Sequence, residues 1–101
     1  MTDNVLVERL AKTVMHWRVG PDRFTTSSRS WLPRWRFRPL ERITDALLLL
    51  EHSGASRYSI SFSRNVFVVE VECAGRIGKA TDTSAARAIT MALAHALKLV
   101  M

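Results

Sequence analysis

Few residues in this chain have the types and spacing that chemistry needs. Glu70 and Glu72 stand two apart and Cys73 follows directly. A carboxylate pair can exchange protons with a substrate when a pocket holds both groups against it. On a strand, however, residues two apart share one face, here the solvated one, and Cys73 falls on the other, apolar face. There it reads as a small buried hydrophobe, not a nucleophile. His16, His52 and His95 lie far apart, and none has a second ligand at helical spacing, so no metal centre is expected. A single cysteine excludes an internal disulfide and any multi-thiolate site. Gly75-Arg76-Ile77-Gly78-Lys79 has the composition of a phosphate loop. The spacing is wrong, and Ala80 stands where a metal-binding hydroxyl would be needed, so a tight turn and a short strand are expected instead. There is no Gly-x-Ser-x-Gly elbow. An enzyme would have to gather His16, His95, Glu70 or Cys73 into one deep pocket. The pattern points away from that, and no catalytic residue or cofactor is expected.

Charge is the stronger signal. The 101 residues carry a net charge of +6, and residues 18–42 alone hold +5. That segment contains Arg18, Arg23, Arg29, Arg34, Arg36, Arg38 and Arg42 against only Asp22 and Glu41. Phe24, Trp31, Trp35 and Phe37 are interleaved with them. A guanidinium is a planar fork that pairs with carboxylate or phosphate through two bonds and stacks on aromatic rings. Two outcomes are open: a basic loop whose aromatics fold back onto the core, or a docking surface for something acidic. The residues expected to carry docking are Arg23, Arg29, Trp31, Arg34, Trp35, Arg36 and Arg38.

The elements that must position these residues follow from periodicity. Leu6, Leu10, Val14 and Trp17 predict a first helix, capped by Thr2 or Asp3 and stopped by Gly20-Pro21. Pro21, Pro33 and Pro39 break residues 20–39 into a long connection. Late in it, an extended backbone would send Trp35 and Phe37 one way and Arg34, Arg36 and Arg38 the other, as in a short edge strand. A second helix is expected to begin near Pro39, run through Ile43, Ala46, Leu47 and Leu50, and end at Gly54. Tyr58, Ile60 and Phe62 alternate with polar residues, predicting a strand with one wet face. Arg64-Asn65 makes a two-residue hairpin turn into Val66 to Cys73, and Ala74-Gly75 turns into a third strand near Arg76 to Thr81. Asp82, Thr83 and Ser84 offer caps for a last helix with Ala85, Ile89, Ala92, Leu93, Ala96, Leu97 and Val100 on its apolar face. Arg87, Thr90, His95 and Lys98 fall off that face. The expected fold is α+β and a single domain over residues 1–101: a three-stranded antiparallel meander packed with helices in a layered α/β sandwich, in the order helix, basic loop, helix, three strands, helix.

Hydrophobic content of 48% and charged content of 24% match a globular chain. The longest apolar run, Ala46 to Leu50, is far short of the roughly 20 residues of a membrane span. With no secretion-signal pattern at the start, a cytoplasmic setting without membrane association is expected.

The layout resembles the phage ABA sandwich domain family of small phage and prophage proteins. The parallel runs from Val14-Met15-His16-Trp17 through the Trp- and Pro-containing loop and the helix after Pro39. It ends at Ala80, Thr83, Ala86, Arg87, Ala88, Ile89, Ala92 and Leu93. The resemblance implies an α/β sandwich, a phage or bacterial origin (hence a host bacterial cytoplasm) and no catalytic residues. This chain has Ser84-Ala85 where members often carry proline, and its Arg-rich loop lies outside the pattern. Residues 39–101 also resemble the double-stranded-RNA-binding domain in element order, with Gly75, Gly78, Ala85, Ala86, Ala92, Leu93 and Leu97 at its glycine and packing positions. That domain grips phosphates with lysines at the start of its last helix. Here the position reads Asp82-Thr83-Ser84, with only Arg87 and Lys79 nearby. The expected function is therefore a non-enzymatic interaction module of phage type that meets an acidic protein partner. Nucleic-acid binding through the same arginines is the alternative. An open sheet edge with exposed aromatics would also let two copies pair.

Overall fold

Two-residue turns build the larger half of the molecule. Arg64 and Asn65 both take left-handed backbone angles (φ 52° and 64°), as do Ala74 and Gly75 (φ 54° and 76°). Paired left-handed residues give the turn whose twist matches that of antiparallel strands. The two hairpins join β4 (Arg57–Ser63), β5 (Val66–Cys73) and β6 (Arg76–Asp82) into a meander in that order. Its register is unbroken, from Arg57 opposite Glu72 to Ser63 opposite Val66, and from Phe67 opposite Asp82 to Cys73 opposite Arg76. The computed structural model describes residues 2–26 and 30–100.

Helix α3 (Ala85–Ala96) lies on this sheet over β5 and β6. Ser84 caps it, its Oγ accepting from the Arg87 amide at 3.4 Å. Val69, Val71 and Cys73 form the buried row of β5 beneath it. Gly78 lets the helix come close, because a Cβ there would collide with the Ala92 carbonyl oxygen and the Ala96 amide nitrogen. α3 is buried on almost every side, including Ala88, Thr90 and Ala94, which marks it as a central layer. Thr90 therefore corrects the sequence reading, which placed it off the apolar face. It is wholly buried, and its hydroxyl donates to the Pro39 carbonyl at 2.7 Å. At 100° per residue Thr90 faces away from Ala92 and the sheet, so this bond ties α3 to the layer on its other side.

That other layer holds α1 (Asp3–Thr13), a second sheet, and α2 (Ile43–His52), which packs against α3. Thr2 caps α1, its Oγ1 accepting from the Val5 amide at 3.3 Å. α1 ends at Thr13, well before Gly20-Pro21. His16 turns left-handed (φ 59°), and the Trp17 amide donates to the Ala11 carbonyl at 3.1 Å. Histidine here takes the place usually given to glycine. α2 begins at Ile43, later than Pro39, because a separate turn closes first: the amides of Glu41 and Arg42 both donate to the Arg38 carbonyl. Gly54 (φ 73°) follows the end of α2 as expected.

The connection 20–39 is not a bare loop. It contributes to a three-stranded antiparallel sheet of β1 (Arg18–Val19), β2 (Arg23–Thr25) and β3 (Trp31–Pro33), followed by a 3-10 turn over Arg34–Arg36. Trp35 thus sits on a tight turn, not a strand, and parts company with Phe37: Trp35 is 65% exposed and Phe37 3%. Among the described residues no helix is long and apolar enough to cross a membrane.

Candidate interaction surface

The small sheet has two unlike faces. Register places Val19, Phe24 and Leu32 in one cross-strand row and Arg18, Thr25 and Trp31 in the next, with Arg23 opposite Pro33. The first row turns inward. Phe24 is fully buried, and Trp17, Phe24 and Phe37 meet as three ring pairs 5.0–5.8 Å apart. Edge-to-face contacts, which Phe37 makes with both Trp17 and Phe24, add roughly 0.5–1.5 kcal/mol each beyond area burial. They hold a sheet whose strands are too short to stand alone.

Alternation sends the second row outward. Trp31 is 59% exposed, and the Arg23 guanidinium lies over its ring, 4.7 Å from the centroid. Arg23 also donates to Asp22 at 3.3 and 3.4 Å. That contact holds the Asp22 carboxyl below the usual carboxylate range, chiefly through the hydrogen bond and then through the charge of Arg23. Arg18 is exposed and forms no ion pair among the described residues. It stands in the same outward row as Trp31, although the sequence reading did not select it. Only the register of β1, a two-residue strand, reveals its place.

The other selected arginines divide. Arg34 turns inward: it pairs with Glu8 at 2.6 Å, donates to the Gly20 carbonyl at 3.2 Å and lies over the Phe24 ring. Its role is to fasten the small sheet to α1. Arg38 pairs with Glu41 at 2.6 Å, and its backbone amide donates to Asp45 at 2.9 Å, which fixes the start of α2. Arg36 is exposed beside Trp35 and forms no ion pair among the described residues. Arg29 lies outside the described residues.

A groove of about 540 Å³ runs between α1 and the 3-10 turn. Asp3, Glu8 and Glu41 line it together with Arg34, Arg38 and Trp35. The groove is thus of mixed charge, and its arginines already have carboxylate partners. Of the segment's arginines, the outer face of the small sheet holds Arg18 and Arg23, the latter beside Asp22.

The remaining candidates are scattered. Cys73 is buried and donates to the Ser53 carbonyl at 3.4 Å, while Glu70 lies on the opposite face of β5 across from Lys79. His16 is exposed after α1, and His95 is half-buried in the last turn of α3. At the start of α3, Arg87 is held by Asp3 at 3.1 Å and by Asp82 at 3.6 Å. These contacts, the Asp3 hydrogen bond foremost, raise its pKa above the ordinary arginine value. Among the described residues no three His, Cys, Asp or Glu groups converge as metal ligands would.

The chain is similar in fold to a phage protein from Bacillus cereus ATCC 14579, known from a 2.0 Å crystal structure. The match covers 100% of this chain and 92% of that one, with a TM-score of 0.76. Sequence identity is 14%, so the likeness is one of fold. No protein-family model and no curated protein matches the sequence.

Proposed function

We propose that this chain is a non-enzymatic interaction module of phage type. It holds an acidic protein partner on the outer face of its small sheet. The observation that carries the reading is Arg23 laid over the exposed ring of Trp31, with Arg18 at the far end of the same cross-strand row, beyond Thr25. Arg23 is held on the indole with its Nε and Nη2 on Asp22, so an acidic group would meet its remaining N–H groups together with the exposed Arg18. Trp31 supplies apolar area of the kind that anchors protein interfaces. Arg34 fastens the sheet to α1 from within, and Trp35 and Arg36 stand exposed on the 3-10 turn that follows β3. The fold shared with the Bacillus cereus phage protein supports the phage-type reading.

Nucleic-acid binding is the weaker reading. The order α2, β4, β5, β6, α3 does follow the double-stranded-RNA-binding domain. Yet Arg87, the cation best placed to meet phosphate at the start of α3, is already engaged by Asp3 and Asp82.

Affinity capture from a bacterial lysate, with and without nuclease, separates the two. Wild-type protein should retain an acidic protein after nuclease treatment. The triple variant Arg18→Ser, Arg23→Ser, Trp31→Ala should lose it. Equal capture by both proteins would reject the surface, and capture abolished by nuclease would favour nucleic acid.

A further inference from the structure

Strand β4 carries an apolar row that the molecule itself does not cover. Register puts Tyr58, Ile60 and Phe62 opposite Val71, Val69 and Phe67, on the side of the sheet that faces α3. Val69 and Val71 are fully buried under the helix, but Tyr58, Ile60 and Phe62 remain 53%, 40% and 59% exposed. The helical layer spans β5 and β6 and stops short of β4. All seven β4 residues are exposed, and the strand is an edge, with amides and carbonyls unpaired on its outer side.

Edges left open in a native fold are usually defended by charge, proline or a bulge. β6, the other edge, carries Arg76, Lys79 and Asp82 along its length. β4 has no proline, its ladder to β5 is unbroken, and its one charge, Arg57, is tied back to Glu72 at 2.7 Å. The two edges of one sheet are thus treated differently, and the undefended one bears the apolar row.

We propose that β4 pairs with β4 of a second copy of this chain, antiparallel about a twofold axis at Ile60. The strand is self-complementary in that register. Ile60 faces its own mate, Tyr58 faces Phe62, Ser59 faces Ser61 and Arg57 faces Ser63, so no like charges oppose each other. The two sheets become one of six strands, and the overhanging side chains cover one another. Beside Tyr58 a hollow of about 230 Å³ opens against Leu47, Leu50, Glu51 and Ala55 of α2 and its following loop. In this register the second copy's Phe62 arrives next to Tyr58, at that hollow. A second copy is favoured over a foreign strand because the sequence of β4 complements itself. None of Arg18, Arg23 and Trp31 belongs to β4 or lines the hollow beside Tyr58, so the pairing is tested separately from the function proposed above.

Sedimentation equilibrium on the full chain tests the pairing. At about 100 μM, ample for an interface at the small end of the usual size range, the wild type should show twice the 11.4 kDa chain mass. Ile60→Lys should return it to 11.4 kDa with an unchanged circular dichroism spectrum, and Phe62→Glu should do the same while also giving up the Phe62–Phe67 ring contact within the chain. Under mild oxidation Ile60→Cys should cross-link to itself, whereas Ser59→Cys should do so only when mixed with Ser61→Cys. The variant Arg18→Ser, Arg23→Ser, Trp31→Ala should remain a dimer. A monomeric wild type, or a dimer that survives both β4 variants, would overturn the proposal.

Discussion

The two sheets of this molecule are both three-stranded antiparallel meanders, but they are held by different means. In β4–β6 the strands run seven to eight residues and the backbone ladder is long. Side chains there need only alternate, and α3 settles on the result. In β1–β3 the strands run two to three residues, and the ladder contributes little. That sheet exists because Phe24 enters an aromatic cluster with Trp17 and Phe37, and because Arg34 binds it to Glu8 on α1. The difference teaches how one arginine-rich segment can hold a small sheet in place and still leave cations at the surface. Inward-turned arginines are used for assembly, while those on the outward row stay available.

The contrast can be broken at either sheet. Phe24→Ala should have the largest effect, about 4 kcal/mol by urea denaturation, as a fully buried ring is lost from a sheet with little else to hold it. That is a large part of the stability of a chain this size. The loss should be accompanied by a change in tryptophan emission from Trp17, its ring neighbour. In the larger sheet the sensitive point is a missing side chain. Gly78→Ala should cost about 3 kcal/mol, because its methyl group meets helix backbone that cannot rotate away. If Phe24→Ala proved milder than Gly78→Ala, the small sheet would owe more to its ladder than argued above.

The sequence announced some of these parts and concealed others for physical reasons. The β4–β6 meander was legible because seven-residue alternation repeats its signal, and because two-residue turns punctuate it. The cap at Ser84 and the buried positions Ile89, Ala92, Leu93 and Ala96 were equally plain, although α3 ends at Ala96, short of the predicted Leu97 and Val100. Strands as short as Arg18–Val19 contain no period to read, so the small sheet passed for a loop. The end of α1 was hidden because His16 takes a left-handed angle that glycine usually marks. Trp35 and Phe37 looked alike in an extended chain, and only the 3-10 turn sends them apart. For the proposed surface, residue type singled out Arg23 and Trp31, which the structure leaves exposed. It could not separate them from Arg34 and Arg38, because the carboxylates that occupy those two, Glu8 and Glu41, depend on how the chain folds back. The exposure of β4 was hidden for a similar reason: alternation shows which side chains share a face, not whether a helix reaches far enough to cover them.

The outward, cationic character of the small sheet is tested most directly by quenching tryptophan fluorescence with ions of opposite sign. Trp31 and Trp35 are exposed beside Arg23 and Arg36, whereas Trp17 is packed in the aromatic cluster. Iodide should quench the larger part of the emission and do so more efficiently than caesium. The advantage should shrink as sodium chloride screens the arginines. Equal or stronger quenching by caesium would contradict a cationic indole surface, and emission inaccessible to both ions would show that Trp31 and Trp35 are buried.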